Sequence, residues 1–426
     1  MLTLPEYPWE SLAPYRATAA AHPGGIADLS IGTPVDNTPA LIQDALAAAA
    51  NAHGYPTTQG TVELREAVVA WFARRRGVPG LEPQAVIPTV GSKEFIAWLP
   101  LLLGLGPGDV VVRPTVAYPT YDIGALLVGA TAVAADSLDE LDAATRARVR
   151  LVWTNSPGNP TGKVASVEEL RAVVAQAREV GAVVAGDECY AELGWGNWDD
   201  DDSAGNEGSS ASGDQRDQRD GGAAKVPCIL SPEVSDGDHT NLLSVYSLSK
   251  QSNLAGYRAA FAAGDAELVS TLINSRKHAG MIVPMPVQAA MTAALGDDAH
   301  VQEQKDRYRA RRILLKDALE AAGLVVDHSE AGLYLWTRDG RRTREGLRTV
   351  DAENAPDAGL HTAADAGAAA PTEQDSWDLV GELAELGILV GPGTFYGSAG
   401  NGYVRVALTA TDEAVARAAE RLRSWR

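Results

Sequence analysis

Ser247-Leu-Ser-Lys250-Gln-Ser-Asn-Leu-Ala-Gly-Tyr-Arg258 contains one lysine, which comes just after a short apolar run, Leu242-Leu-Ser-Val-Tyr-Ser-Leu248. This pattern predicts a lysine at the end of a buried strand, where a charged ammonium is costly and a neutral amine is a good nucleophile toward an aldehyde. The hydroxyl of Ser247 and the guanidinium of Arg258 are groups that bind a phosphate dianion. Aldehyde capture beside a phosphate site is what pyridoxal 5′-phosphate (PLP) requires. A surface lysine in a serine-rich turn is the alternative interpretation.

Around this segment, short apolar runs alternate with helical patterns. Alternation of this kind favours a mostly parallel sheet covered by helices on both faces, with ligands at the carboxyl ends of the strands. We predict an α/β fold with a mostly parallel central sheet in a large domain, plus a smaller α+β domain. The predicted strands are 110–113, 131–136, 149–155, 183–187, 242–248 and 257–264, and the predicted helices include 62–76, 92–104 and 166–181.

Composition limits the class of protein. The 426 residues are 45% apolar and carry a net charge of −20, which argues against nucleic-acid binding because that depends on neutralising phosphates. Two cysteines, Cys189 and Cys228, make no disulfide framework and indicate a reducing compartment. The first residues do not resemble a signal peptide, and the longest apolar run, 95–106, is too short to span a bilayer. We therefore predict a cytoplasmic enzyme without a membrane or nucleic-acid partner.

The length predicts two domains. We place an N-terminal segment at 1–40, joining the small domain, a large cofactor-binding domain at 41–288 and a small C-terminal domain at 289–426. In the last, Trp377–Gly387 has a helical pattern.

Two stretches have the composition of inserted surface loops. Residues 199–220 are acidic with Gly and Ser between the charges, and residues 352–370 are rich in alanine. The run from Asp199 to Asp202 could bind a cation, but a solvated run of charge is the favoured interpretation.

Two turns carry candidate cofactor contacts. In Thr89-Val-Gly91-Ser92-Lys93-Glu94, glycine permits close backbone approach, and the amides at a helix start can face an anion. In Asn155-Ser-Pro-Gly-Asn159-Pro-Thr-Gly162, the prolines and glycines fix a rigid turn from which the Asn159 amide could donate to a phenolate oxygen. Taken singly, each is also compatible with an ordinary turn.

Val184-Ala-Gly-Asp187-Glu-Cys-Tyr190 ends another predicted strand. A carboxylate at that edge can pair with a pyridinium nitrogen and so keep the ring protonated as an electron sink. Tyr190 could reach the phenolic oxygen of the same ring. A helix N-cap is the common alternative for such an aspartate.

Together these motifs resemble one family. Asp187-x-x-Tyr190, Asn159-Pro-Thr-Gly and Ser247-x-Ser-Lys250 with Arg258 have the order and spacing found in fold-type I, class I/II PLP-dependent aminotransferases. The resemblance covers nearly the whole chain outside the two loops. It implies that Lys250 holds PLP as a Schiff base and then moves a proton between Cα and C4′, and that Asp187 binds the pyridine nitrogen.

The resemblance also implies the remaining contacts. It implies that Asn159 and Tyr190 bind O3′ and that Tyr118 stacks on the ring. The phosphate is bound by Ser247, Arg258 and the amides around Gly91, Ser92 and Lys93, and Tyr55 reaches the phosphate of the neighbouring subunit. The substrate is bound by Gly32, Asn159 and Arg405, with Arg405 on the α-carboxylate. The Tyr55 assignment implies a homodimer with shared active sites. The family resemblance as a whole implies small amino-acid and 2-oxo-acid substrates.

Segments 237–258 and 276–288 look most like actinobacterial N-succinyldiaminopimelate aminotransferases, as does the opening at 4–9. Those enzymes exchange an amino group between glutamate and N-succinyl-2-amino-6-oxopimelate on the diaminopimelate route to lysine. The resemblance thus predicts an N-succinyl-LL-2,6-diaminopimelate:2-oxoglutarate aminotransferase. Transamination of aspartate or methionine and a PLP-dependent C–S β-lyase activity stay open, because the same cofactor residues serve all of them.

The groups that would recognise a distal carboxylate or a succinyl group are not evident. Arg276, Lys277 and His278 form a basic cluster that could face the substrate, but a solvated helix end is the favoured interpretation.

Overall fold

The computed structural model describes residues 4–199, 225–341 and 370–425. Apart from Asp199 and Ala370, the two predicted loops lie outside these residues. The strands are β1 (Ala27–Asp28), β2 (Val86–Val90), β3 (Val110–Arg113), β4 (Thr131–Ala134), β5 (Val149–Asn155), β6 (Val183–Asp187), β7 (Leu242–Ser247), β8 (Ala259–Gly264), β9 (Leu324–Asp327), β10 (Tyr334–Asp339), β11 (Ile388–Leu389), β12 (Gly391–Pro392) and β13 (Tyr403–Ala407).

The helices follow the strands closely along the chain. They are α1 (Ala13–Ala21), α2 (Ala40–Ala48), α3 (Val62–Arg75), α4 (Ser92–Leu102), α5 (Thr120–Val128), α6 (Ala143–Arg146), α7 (Val167–Val180), α8 (Pro232–Ser235), α9 (Leu248–Gln251), α10 (Ala266–Ala279), α11 (Met285–Leu295), α12 (Ala299–Ala321), α13 (Glu373–Glu385) and α14 (Asp412–Ser424). None of these described helices is long and apolar enough to cross a membrane.

The chain divides into two compact units. Among the described residues, the large unit contains 4–6, 33–199, 225–309 and 329–333, and the small unit contains 7–32, 310–328, 334–341 and 370–425. The described residues of the range 41–288, predicted as the large domain, belong to the large unit.

A seven-stranded sheet forms the centre of the large unit. Its strand order is β2-β8-β7-β6-β5-β3-β4, and β8 pairs antiparallel with both of its neighbours while the other pairs are parallel. The predicted mostly parallel sheet is thus confirmed. The predicted strand at 257–264 begins only at Ala259, because Arg258 adopts a left-handed conformation with φ of 55°.

Buried side chains cover both faces of this sheet. Along β5, Val152 packs in one apolar cluster and Trp153 in the other, since successive residues of a strand point to opposite faces. Helix α7 begins with a capping box between Ser166 and Glu169, as its acidic first turn favours. The helices therefore hold a rigid sheet whose carboxyl edge carries the polar motifs.

The small unit contains an antiparallel sheet of order β12-β13-β10-β9 and a two-stranded parallel sheet of β1 and β11. Arg405 of β13 pairs in register with Trp336 of β10 and Gly391 of β12. This unit combines sheets and helices, as predicted for an α+β domain.

Candidate active site

Several of the predicted cofactor residues of the large unit lie at one edge of its sheet. Asn155 ends β5 and is the register partner of Asp187, which ends β6 and pairs in turn with Val245 of β7. Two residues later, Ser247 ends β7, and Lys250 follows in α9. Because β5, β6 and β7 are parallel, their carboxyl ends place these polar groups side by side.

Asp187 is a buried carboxylate held by neutral donors. The Tyr121 hydroxyl donates to Asp187 Oδ2 at 2.8 Å, and the Cys189 amide donates to Oδ1 at 3.3 Å. Burial raises the pKa of Asp187 above its ordinary value, and the hydrogen bonds from Cys189 and Tyr121 oppose that rise. A buried carboxylate of this kind is suited to a cationic partner such as a protonated ring nitrogen.

The Asn155–Gly162 turn is attached to the same strand end. The Asn155 side chain donates to the Asp187 carbonyl at 3.0 Å, and its Oδ1 accepts from the Asn159 amide at 2.8 Å. The Gly162 amide donates to the Gly158 carbonyl at 2.8 Å, which closes the turn. Asn159 is buried within this turn, and its backbone is linked to that of Asp187 through the Asn155 side chain.

Gly91 and Arg258, predicted to share the phosphate site, lie against each other. Gly91 precedes α4 with φ of 78°, and a Cβ placed there would lie 2.1 Å from Arg258 Nη2. Only glycine therefore leaves room for the guanidinium beside the amide-rich start of α4. A helix N-terminus next to an arginine fits a phosphate group, and this cradle is the structural reason that the residues present suit PLP.

Lys250 belongs to the same neighbourhood. Burial, followed by the negative charge of Asp187, raises the pKa of the Cys189 thiol well above its ordinary value, while a hydrogen bond with Ser92 and the charge of Lys250 act in the opposite direction. Ser92, Asp187 and Lys250 are thus each close enough to Cys189 to interact with it. Ser247 is buried, caps α9 by accepting from the Ser249 amide and donates to the Ala259 carbonyl at 3.3 Å.

Tyr118 has Lys93 and Tyr121 as its neighbours. The Lys93 ammonium is 6.0 Å from the centroid of the Tyr118 ring, and the Tyr118 and Tyr121 rings meet edge to face at 6.2 Å. Tyr121 in turn stacks on Trp153 at 5.0 Å. Tyr190 is buried beside Gly332, where a Cβ would be 3.6 Å from the tyrosine Cβ. Tyr118, predicted to stack on the cofactor ring, thus contacts Tyr121, which donates to Asp187.

In the small unit, Arg405 and Gly32 are brought together through Tyr334. The buried Arg405 donates from Nη2 to the Ser30 carbonyl at 2.8 Å, and its Cζ is 4.0 Å from the centroid of the Tyr334 ring. A Cβ on Gly32 would lie 2.0 Å from the Tyr334 hydroxyl oxygen. Tyr396, at 5.2 Å from Arg405 Cζ, completes an aromatic surround for a planar guanidinium.

Two sequence interpretations are wrong. Arg276 is not a solvated helix end: it is fully buried and donates to both carboxylate oxygens of Glu94 at 2.8 and 3.0 Å. Both terminal nitrogens of the Arg276 guanidinium, which a substrate carboxylate would need, therefore already donate to Glu94. Asp199 is likewise not solvated, since it is buried and pairs with Lys305 and Arg309.

Sequence reasoning missed three residues of these clusters. Asn155 lies within a motif quoted above and Tyr121 follows Tyr118 by three residues, yet only the folded chain shows that they contact Asp187. Tyr334 occurs in an apolar strand without any flanking motif, so nothing in the sequence marked it as the neighbour of Gly32 and Arg405. Two tyrosines three residues apart at the start of a helix were the one available signal for Tyr121.

The fold and the cradle define a PLP-dependent transferase with the sheet architecture of aspartate aminotransferases. The chain belongs to the family described as aminotransferase class I and II, whose model matches residues 25–422. Members of this family use PLP to transfer amino groups, and this chain is a transaminase.

Relatives named as aminotransferases or transaminases match this chain over nearly its whole length. The chain is 48% identical to the 4-dedimethylamino-4-oxo-anhydrotetracycline transaminase OxyQ of Streptomyces rimosus, covering 99% of this chain and 100% of that protein. It is 49% identical to a protein named as a probable aminotransferase in Mycobacterium tuberculosis, covering 99% and 85%. It is 30% identical to the LL-diaminopimelate aminotransferase of Aquifex aeolicus, covering 94% and 91%.

Among solved structures, an aminotransferase from Neisseria meningitidis superposes with a TM-score of 0.79 at 26% identity, covering 99% of this chain and 98% of that one.

Proposed function

We propose that this transaminase converts N-succinyl-LL-2,6-diaminopimelate and 2-oxoglutarate to N-succinyl-2-amino-6-oxopimelate and glutamate, and the reverse. The chemistry is carried by one observation: Asp187, the Gly91–Arg258 cradle and Lys250 share one edge of the sheet. The diaminopimelate backbone is supported by the relative named an LL-diaminopimelate aminotransferase and by the resemblance of segments 237–258 and 276–288 to succinyl-specific enzymes.

In this proposal the cofactor is held at four places. The α4 amides at Gly91 and Ser92, with Arg258 and Ser247, bind the phosphate; Asn159 and Tyr190 donate to the phenolic oxygen; Asp187 accepts from the ring nitrogen; and Tyr118 lies on the ring. When bound, PLP supplies an electron sink that allows a proton to leave the substrate Cα.

The proton is moved by this chain. With PLP bound, Lys250 would hold the cofactor through Nζ, and its amine, once free, would take the proton from the substrate Cα and hold it for return. Asp187 would accept from the ring nitrogen, and its negative charge would favour the protonated form of that nitrogen.

Arg405 is the residue proposed to bind the α-carboxylate of the substrate. Its planar fork can make two parallel hydrogen bonds to a carboxylate, and the rings of Tyr334 and Tyr396 hold the fork in one orientation. Tyr55 is proposed to reach the phosphate of a second subunit in a homodimer, a role supported by its fully exposed side chain. We further propose that the enzyme acts in the cytoplasm.

A second candidate substrate is a ring ketone. The relative OxyQ is named for a 4-oxo-anhydrotetracycline, and 48% identity over the full chain favours amination of a polycyclic ketone as the alternative. The carboxylate is the discriminating group, because such a ketone has no α-carboxylate for Arg405 to bind.

A donor and acceptor panel separates these candidates. Glutamate formation is measured with 2-oxoglutarate and, in turn, N-succinyl-LL-diaminopimelate, LL-diaminopimelate, aspartate and methionine, and the reverse reaction with an oxo-anhydrotetracycline. The proposal expects the highest kcat/KM with the succinylated substrate. Strong activity with aspartate alone, release of pyruvate from cystathionine, or preference for the polycyclic ketone would each reject it. The matched variant Arg405→Lys is expected to raise KM for every amino acid, the amino donor included, and to leave KM for the ketone unchanged.

A further inference from the structure

The turn that follows Lys250 is held by a buried chain of hydrogen bonds that none of the roles above uses. Gln251, Ser252 and Asn253 come directly after the lysine and are 1%, 0% and 9% exposed. The Ser252 hydroxyl lies 2.8 Å from His300 Nε2, and His300 Nδ1 lies 2.7 Å from Asp297 Oδ2. A serine, a histidine and a carboxylate are thus linked in sequence.

One arrangement gives every donor in this chain an acceptor. Asp297 accepts from His300 Nδ1, and His300 Nε2 accepts from the Ser252 hydroxyl. Ser252 Oγ accepts in turn from the Gln251 amide at 3.3 Å, and Gln251 Oε1 accepts from the Tyr246 hydroxyl. A buried chain in which each donor meets one acceptor is rigid.

His300 itself is anchored independently of the turn. It lies in the first turn of α12, where its backbone amide donates to Asp297 Oδ2 at 2.9 Å. Its ring is buried at 6% exposure. The imidazole therefore has one orientation, and Ser252 is the group on the Lys250 side that meets it.

A second contact of α12 holds the next residue. Gln304, one helical turn after His300, accepts from the Asn253 side chain at 2.8 Å and donates to Asp36 Oδ2 at 2.8 Å. Asn253 adopts a left-handed conformation with φ of 55°, which its side-chain contacts with Gln304 and the Asn37 carbonyl help to maintain. Successive residues of the turn are thus fixed by successive turns of one helix.

We propose that His300 is a positioning residue for Lys250, acting through Ser252. The inference rests on the proposed role of Lys250: an amine that must both bind the cofactor and move a proton needs its backbone fixed, and a displacement of about 1 Å at such a centre can cost roughly a hundredfold in rate. His300 touches neither substrate nor cofactor in this account. It holds the backbone from which the lysine extends.

The test compares isosteric variants of the holoenzyme. His300→Gln can place its amide where Nε2 lies and keeps the contact with Ser252, whereas His300→Asn places its amide where Nδ1 lies and keeps only the contact with Asp297. Ser252→Ala removes the hydroxyl with the smallest change in volume. Asp298→Asn is the control, since Asp298 is next to Asp297 in the sequence but pairs with the exposed Arg74 and not with His300.

Two properties are measured: kcat and KM for glutamate, and the rate at which hydroxylamine releases PLP, followed by the visible absorption band. His300→Asn and Ser252→Ala are expected to lower kcat and speed PLP release by about threefold to tenfold, the range for losing one buried hydrogen bond, with KM changed less than about twofold. His300→Gln and Asp298→Asn are expected to match the wild type. The Ser252→Ala/His300→Asn double variant should be no worse than the worse single variant, because both remove the same contact.

The inference is overturned if His300→Asn lowers thermal stability alone, if His300→Asn and His300→Gln behave alike, or if the double variant is additive. Lys250→Ala keeps this result separate from the proposed function. An inactive Lys250→Ala beside a silent Ser252→Ala would reject only the positioning role, whereas an active Lys250→Ala would reject both.

Discussion

Asp187 and Glu188 are neighbours at the end of β6, both are buried, and they do different work on opposite faces of the sheet. Asp187 faces the Tyr121 side and takes its hydrogen bonds from a hydroxyl and an amide. Glu188 faces the other core, where Arg76 Nη2 donates to it at 3.0 Å, the Ser244 hydroxyl at 3.1 Å and the Ile229 amide at 2.7 Å.

The difference lies in what neutralises each charge. Burial alone would lower the pKa of Arg76, but the charge of Glu188 overcomes that effect and raises it, so the guanidinium stays charged inside the protein. The charge of Asp187 is solvated by neutral dipoles, and burial raises the pKa of Asp187. Burial of a carboxylate therefore does not by itself identify an active site; a buried carboxylate supported by neutral donors does so better.

The largest effect is expected on the Asp187 side. Asp187→Asn keeps the shape and an acceptor for Tyr121 but removes the charge proposed to hold the ring nitrogen protonated. We expect kcat/KM to fall about 10³-fold, on the scale of losing one preorganised electrostatic contact, while the cofactor-free protein melts at the same or a higher temperature. Steady-state kinetics and thermal unfolding test both halves. A large loss of stability would place Asp187 in the same class as Glu188.

Substitution of Glu188 should have the opposite result, a large loss of stability with little change in activity. Glu188→Gln leaves Arg76 charged with its side chain 1% exposed, so we expect the free energy of unfolding to fall by about 3–5 kcal/mol. The kcat of the folded holoenzyme should change less than about threefold. Urea unfolding measures the first quantity. Arg171→Gln, which breaks an exposed pair with Asp236, is the control and should cost less than about 1 kcal/mol.

Tyr121→Phe gives a smaller effect that sharpens the comparison. Removing the hydroxyl takes away one hydrogen bond that lowers the pKa of Asp187, so that pKa should rise further and the acid limb of the pH–rate profile should move to higher pH. We expect kcat/KM to fall about tenfold or less. Tyr403→Phe removes an equivalent tyrosine–aspartate contact, with Asp327 in the small unit, and should leave the pH profile unchanged.

The same comparison shows how far sequence reasoning reached. Asp187 and Lys250 could be predicted because each follows an apolar strand, and the carboxyl ends of parallel strands share one edge. Strands β3, β5 and β6 have their predicted bounds for the same reason, since buried parallel strands are continuous apolar runs.

The partners of these residues could not be predicted, because they come from distant parts of the chain. Tyr121 and Asp187 are 66 positions apart, and Arg276 and Glu94 are 182 apart. Arg276 in the last turn of α10 has the sequence pattern of an exposed helix end, and only the position of α4 makes it a buried ion pair. Charge in a sequence gives no information on which helix will cover it.

The smallest predicted effect is a pH dependence of stability with a defined sign. The pKa of Asp187 is higher in the folded cofactor-free protein than its ordinary value of 3.8, so between these two values the folded state binds the proton that the unfolded state has lost. Stability therefore falls as pH rises through that window, by about 1.4 kcal/mol for each unit of pKa difference, and the slope disappears in Asp187→Asn.

Asp298 should behave oppositely: its hydrogen bond with Arg74 lowers the pKa of Asp298, so its contribution is present above pH 3.8 and is lost as pH falls toward the folded value. Urea unfolding of the wild type, Asp187→Asn and Asp298→Asn across this range measures both slopes. Equal signs for the two variants would mean that Asp187 is held by a cation after all, and that the contrast with Glu188 is wrong.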